Sequence, residues 1–120
     1  PNNFKAEDGI LDSSQSRGLV YVYKRKTYNQ ELKVDDEVDV NIVYFDHDKK
    51  RLQYKMEMVH KEKKFLASTI EVLALYVDLN NRKVSEFEDE KVKIMDDYIK
   101  ENSSKFTNDN LKFSSKLKKN

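Results

Sequence analysis

Glu71 is the residue whose surroundings first suggest chemistry, because it sets a carboxylate inside the apolar stretch Ile70, Val72, Leu73, Ala74 and Leu75. An ionised group taken out of water is costly unless something polar meets it. Its partner is therefore either a water, which would make it a general base, or protein donors, which would make it structural. Both readings stand on the sequence. Tyr28 and Glu31 offer a phenol and a carboxylate where an apolar run meets a turn. They could line a pocket and hydrogen-bond a carbonyl, or lie half-buried with no such task. His60 could donate to a substrate oxygen, although it precedes Lys61, Lys63 and Lys64 and could equally be an exposed edge residue. Lys49, Lys50 and Arg51, like Lys24, Arg25 and Lys26, are candidates for phosphate contacts or are simply solvated charges.

Other chemistries find no support. The chain has no cysteine, so it has no disulfide framework, thiolate metal site or cysteine nucleophile, a composition suited to a reducing compartment. Its two glycines stand alone at positions 9 and 18, so no glycine-rich phosphate loop exists. His47 and His60 have no zinc-ligand spacing, and no Gly-x-Ser-x-Gly elbow occurs. Asp46, Asp48 and Glu57 match three positions of a calcium loop, but Arg51 stands where the turn needs glycine. We expect neither a metal nor a cofactor.

The elements that must position these residues follow from periodicity. At 120 residues, 38% apolar and 38% charged, the chain suits one domain. Residues 1–18 are turn-rich and read as a lead-in segment. Leu19–Tyr28 is rich in β-branched and aromatic residues and predicts a strand. Glu37–Phe45 alternates Val38, Val40, Ile42 and Tyr44 with polar residues and predicts a second. Arg51–Glu62 alternates Leu52, Tyr54, Met56 and Met58 with Gln53, Lys55 and Glu57, predicting a third. Phe65–Val77 is apolar on both faces, as a covered central strand should be. Short turns make these strands antiparallel neighbours.

Ser85 and Glu88 have capping-box spacing ahead of a helix over residues 86–101, whose apolar stripe would be Phe87, Ile94, Met95 and Tyr98. Residues 102–120 hold five lysines against Asp109 and read as a basic, mobile tail dispensable for folding. Balanced charge, +1 overall, argues against nucleic acid as a partner. No apolar run approaches the ~20 residues of a membrane span, and no signal-peptide pattern opens the chain.

One ordered series remains: Thr27-Tyr28-Asn29-Gln30-Glu31-Leu32, then Asp46 to Leu52, Met58-Val59-His60, Ala67-Ser68-Thr69-Ile70-Glu71, and Val77-Asp78-Leu79. It resembles the acyl-CoA thioesterases of the hotdog superfamily, in particular the 4-hydroxybenzoyl-CoA thioesterase-like branch with its carnitine- and betaine-related members. The resemblance covers Gly18 to Tyr98. It implies an α+β fold, a hotdog-like antiparallel sheet of four visible strands with a C-terminal helix, over residues 19–101. It also implies hydrolysis of an acyl-CoA to free acid and CoA, with no cofactor, in a cytoplasmic homodimer or homotetramer. Glu71 matches the glutamate of the family's Ala-Thr-x-Glu strand and becomes the candidate catalytic residue. Tyr28, His60, Lys49 and Arg51 become candidate substrate contacts.

The departures are specific. The family's N-terminal strand and central helix, which carries its principal acid, have no counterpart in this sequence. Asp35 stands where a turn glycine is common, and Ser68 interrupts the Ala-Thr pair. A non-catalytic hotdog-derived binding or assembly subunit is therefore the alternative function.

Overall fold

A computed structural model describes residues 16–119. The lead-in expected over residues 1–18 falls largely outside the described residues. The chain forms β1 (Arg17–Tyr28), β2 (Val38–His47), β3 (Arg51–His60), β4 (Leu66–Asp78), the short β5 (Lys83–Val84) and α1 (Asp89–Asn102). The sheet runs β1-β4-β3-β2, every neighbour antiparallel, with β5 on the end of β4. β4 sits between β1 and β3, which explains why its residues are apolar on both faces.

Register assigns the two faces. Val72, Ala74 and Tyr76 of β4 lie on the face of Leu52 and Tyr54, which are Cα partners of Ala74 and Val72. Leu52, Val72, Ala74, Tyr76 and Phe87 form the buried core, with Phe45, Tyr54, Ile70, Val92 and Met95 packed against it. Burying each large apolar side chain contributes about 1.5–3 kcal/mol, and Leu52→Ala would cost about 2–5 kcal/mol through transfer and cavity.

β2 departs from simple alternation. Its register with β3 shifts between Ile42 and Tyr44, a β-bulge that places one extra residue on β2. Phe45 and His47, paired with Tyr54 and Leu52, therefore join the core face. Tyr44, expected to share a face with Val38, Val40 and Ile42, pairs with Lys55 and lies on the opposite face.

The helix begins later than its sequence suggests. Glu88 is the N-cap residue, without a side-chain capping bond. The capping box fails because both side chains are otherwise engaged. Arg17 Nε donates to Ser85 Oγ at 3.3 Å and Arg17 Nη1 to Glu88 Oε2 at 3.0 Å, while Tyr76 Oη donates to Glu88 Oε1 at 2.7 Å. Phe87 precedes α1 and stacks on Tyr76 with ring centroids 4.6 Å apart. Asp89 and Glu90 still place negative charge in the first turn and Lys100 positive charge in the last. Val92 and Met95 face the core. Ile94, expected in the apolar stripe, is 67% exposed.

The segment after α1, expected to be a mobile tail, lies across the sheet face opposite the helix. The Thr107 N–H donates to the Val43 carbonyl at 2.9 Å, capping the bulge. Phe113 stacks on Tyr23 at 5.4 Å, and the Lys118 N–H reaches Asp48 Oδ2 at 2.6 Å. Phe106, Leu111, Phe113 and Leu117 are half-buried. Composition suggested mobility; the segment instead supplies backbone donors to acceptors that the sheet presents.

Candidate functional site

Three regions hold the residues whose chemistry the sequence singled out. The first is a cleft of about 520 Å³ where β1 ends and β4 begins, lined among others by Lys26, Tyr28, Glu31, Leu32, Met58 and Ser68. The turn after β1 is fixed by Asn29 and Gln30, whose N–H groups both donate to the Ala67 carbonyl, at 2.9 and 3.2 Å. Tyr28 is opposite Ser68 in the register and 76% exposed, so its phenol is open to a ligand. The Lys26 ammonium lies 5.4 Å from the Tyr28 ring centroid, a cation–π contact. Leu32 and Met58 give the cleft apolar lining beside the Tyr28 and Ser68 hydroxyls.

The second region centres on Glu71, which is 2% exposed. The Lys112 N–H donates to Oε1 at 2.8 Å and to Oε2 at 3.0 Å. Oε2 also accepts the Phe113 N–H at 3.0 Å and Gln53 Nε2 at 2.7 Å. Gln53, fully buried, shares Ser114 Oγ through contacts of 3.1 and 3.3 Å. Glu71 pairs with Arg25 on β1 and with Lys55 on β3, whereas Tyr28 pairs with Ser68. Three residues along a strand is an odd number, so Glu71 and the Tyr28–Ser68 pair occupy opposite faces. The structure does not bring the candidate base to the cleft.

His60 belongs to neither arrangement. Its Nδ1 accepts the Lys63 N–H at 2.9 Å, its Nε2 is 3.4 Å from Asp36 Oδ1, and its ring packs on Phe65 at 4.8 Å. Expected as a substrate contact or an exposed edge residue, it is buried and ties the β3–β4 turn to the turn before β2. Asp36 is held below the usual carboxylate range chiefly by the Lys33 N–H, against a smaller desolvation effect, with His60 adding to the depression.

The third region is a groove of about 710 Å³ at the β2–β3 turn, where Lys49, Lys50 and Arg51 are joined by Lys118 and Lys119. Asp48 organises it by accepting the N–H groups of Lys50 and Arg51 at 2.8 and 2.7 Å, and Arg51 Nη1 at 3.0 Å. Burial raises the Asp48 pKa, but the Lys118, Lys50 and Arg51 donors outweigh it and hold the carboxyl below its ordinary value. His47 Nε2 contacts Asp96 at 2.6 Å and its Nδ1 contacts the Asp48 carbonyl at 2.9 Å, joining β2 to α1. Arg51 is thus partly spent on Asp48, while Lys49 is exposed. Along β3, Arg51 of this groove and Met58 of the Tyr28 cleft are seven residues apart, about 23 Å at the rise of a β-strand.

Gln53, Ser114 and Lys118 were not among the residues singled out from sequence. For Ser114 and Lys118 the one available signal is the recurrence of apolar residues from Phe106 to Leu117.

A family model described as "Thioesterase-like superfamily" matches residues 2–99. The chain belongs to the thioesterase-like superfamily. No curated protein matches it. Among solved structures, this superfamily member is similar to a hypothetical protein of Staphylococcus aureus solved in complex with CoA. The TM-score is 0.65 at 22% identity, over 88% of this chain and 64% of that one. A DHNA-CoA thioesterase from Staphylococcus aureus gives 0.65 at 15% identity, over 78% and 63%. A 1,4-dihydroxy-2-naphthoyl-CoA thioesterase from Synechocystis gives 0.64 at 16% identity, over 72% and 64%. The chain therefore spans less than two thirds of the length of these structures. The shared architecture is the α+β hotdog sheet with its C-terminal helix. In this superfamily member the motif pieces Thr27–Leu32 and Ala67–Ser68, distant in sequence, meet in one cleft, while Glu71 and the basic turn lie elsewhere.

Proposed function

We propose that the protein hydrolyses an acyl-CoA thioester to a carboxylic acid and CoA, with the acyl end of the substrate in the Tyr28 cleft. The observation that carries this reading is the meeting of the Thr27–Leu32 turn with Met58 and Ser68 in one cleft with apolar lining. In the reaction a carboxylate withdraws a proton from water, the oxygen adds to the thioester carbonyl, and the carbon–sulfur bond then breaks as the CoA sulfur takes a proton. The Tyr28 hydroxyl, exposed in the cleft, is the candidate donor to the carbonyl oxygen as charge develops there. Glu71 lies on the other face of the sheet from this cleft, so it is the candidate for water activation only toward a thioester held by a second subunit, in a state where its oxygens are free of the Lys112 and Phe113 amides.

Lys49 and Arg51, with Lys50, are the candidate contacts for CoA phosphates. They lie too far from the cleft along the same strand to sit beside the reacting carbonyl. In a homodimer or homotetramer, one subunit's basic turn could serve a substrate whose acyl group enters another's cleft. Such an assembly would also pair β1, which among the described residues has a strand on one side only and whose Leu19, Val20, Tyr21, Val22 and Tyr23 are exposed. The cysteine-free composition supports a cytoplasmic location.

A second reading, a non-catalytic binding or assembly subunit, is favoured by one observation: the Glu71 carboxylate is saturated by protein donors. Thiol release from a panel of aliphatic and aromatic acyl-CoAs, measured on the full-length protein, separates the two. Hydrolysis that falls at least ~tenfold in Ser68→Phe, where the ring fills the cleft, supports the enzyme. CoA binding by calorimetry without thiol release from any substrate supports the binding subunit.

A further inference from the structure

Three acceptors along the path of the C-terminal segment take donors from it: the bulge carbonyl of Val43, the buried carboxylate of Glu71, which also accepts Gln53 Nε2 of β3, and the buried carboxylate of Asp48 in the β2–β3 turn, which also accepts Arg51. Each is met by a backbone N–H of the C-terminal segment, from Thr107, from Lys112 and Phe113, and from Lys118. The segment has no regular structure beyond two single turns, Ser103–Lys105 and Ser114–Lys116. It is therefore held by these anchors and by its half-buried apolar side chains, rather than by secondary structure of its own.

We propose that residues 106–119 are a displaceable strap latched on Glu71, which anchors the strap while it is seated and becomes a free carboxylate only when it lifts. The chemistry of the latch supports this. An ionised acceptor bound by N–H groups forms strong, short hydrogen bonds, and their loss leaves a buried charge that water must then reach. Phe113 seats the latch from the other side, its ring on Tyr23, with the Lys116 ammonium 5.1 Å from that same ring. The basic residues of the strap stay at the surface, where only Lys119 forms an ion pair among the described strap residues, 2.8 Å from Asp46. The strap can lift without unfolding the sheet, because the core of Leu52, Val72, Ala74 and Tyr76 lies on the other face. Gating of Glu71 rests on the acyl-CoA hydrolase reading; the latch itself does not.

Amide hydrogen exchange on the full-length protein tests the latch. Lys112 and Phe113 amides should be protected in the wild type and exchange by local opening, while Val72 and Leu73 remain closed. Phe113→Ala should speed strap exchange about tenfold or more, through loss of the half-buried ring stacked on Tyr23, with β4 unchanged. Glu71→Gln should do the same if it folds; Phe113→Ala removes no buried charge and decides the matter if it does not. Strap amides exchanging at free-peptide rates in the wild type, or strap and β4 accelerating together, would overturn the latch.

Thiol release then tests the gate. Phe113→Ala should raise turnover, and Glu71→Gln in that background should abolish the gain. Accelerated strap exchange with unaltered turnover would overturn the gate. Absence of hydrolysis in every variant would remove the enzymatic reading, leaving the exchange data to judge the latch alone.

Discussion

Replacing Tyr76 by phenylalanine removes one oxygen from the joint that carries the chain from the sheet into α1. Tyr76 is buried and its hydroxyl donates to Glu88 Oε1 at 2.7 Å. Burial first, then the hydrogen bond to Glu88, pushes the phenol up to about 12. The same bond is the largest influence holding Glu88 at about 2, from an ordinary 4.5. The whole depression corresponds to at most about 3.5 kcal/mol of native-state stability. The Glu88 side chain is one third exposed, and Arg17 and Lys91 remain beside it at 3.0 and 3.4 Å. Screening and these surviving partners reduce the expected loss to about 1–2 kcal/mol, or roughly 4–10 °C in midpoint for a domain of this size.

The sign of the pH dependence is fixed by the direction of the shift. Glu88 has a depressed pKa when folded, so its contribution is complete above about pH 5 and drains away as pH falls towards 2. The stability gap between wild type and Tyr76→Phe should therefore be widest near neutrality and should narrow across that acid window. Urea unfolding followed by circular dichroism between pH 2.5 and 7 measures it. In a Glu88→Gln background the same substitution should cost less, because a neutral acceptor forms the weaker bond. A gap that stays constant with pH, or an undiminished cost in that background, would refute the pairing as the source of stability.

Truncation after Asn102 should lower the thermal midpoint by ten degrees or more, since it removes the Phe113–Tyr23 stack and strips ligands from the buried Glu71 and Asp48. Thermal circular dichroism checks this; an unchanged midpoint would mean that the strap adds nothing. Asp48→Asn should cost about 2–3 kcal/mol at pH 7 in urea unfolding. The Asp48 carboxyl is held below its ordinary pKa, so this cost should shrink as pH falls through the folded-state value, below the ordinary carboxylate range. Lys64 has φ of 64° in the β3–β4 turn, so Lys64→Gly should gain about 0.5–1 kcal/mol by relieving left-handed backbone strain. A loss of stability there would show that the lysine side chain holds the turn.

The succession of strands and helix along the chain was legible because it rests on local periodicity: Leu52, Tyr54, Met56 and Met58 alternate without interruption, and β3 carries them on one face as the pattern requires. Their order in the sheet was not, since short turns predict β1 beside β2 whereas β1 pairs with β4. Tyr44 was misplaced because one bulge residue reverses the face of everything after it, and valine at position 43 carries no mark of a bulge. The residues of the Tyr28 cleft were singled out in sequence but their meeting was not, because the β1–β4 pair that joins the two strand ends is a long-range pairing that short turns do not announce.

Glu71 shows where such reading stops. Its position within an apolar run correctly demanded a polar partner, but its ligands include backbone N–H groups 41 and 42 residues away. Every residue except proline carries such a donor, so no residue type advertises it. Phe106, Phe113 and Leu117 fall at the spacing of a short amphipathic helix that does not form, and lysine-rich composition argues for mobility. Yet an irregular segment needs no period when the surface beneath it supplies the acceptors. The demand that Glu71 placed on its surroundings and the burial of those apolar residues have one common solution, the strap across the sheet.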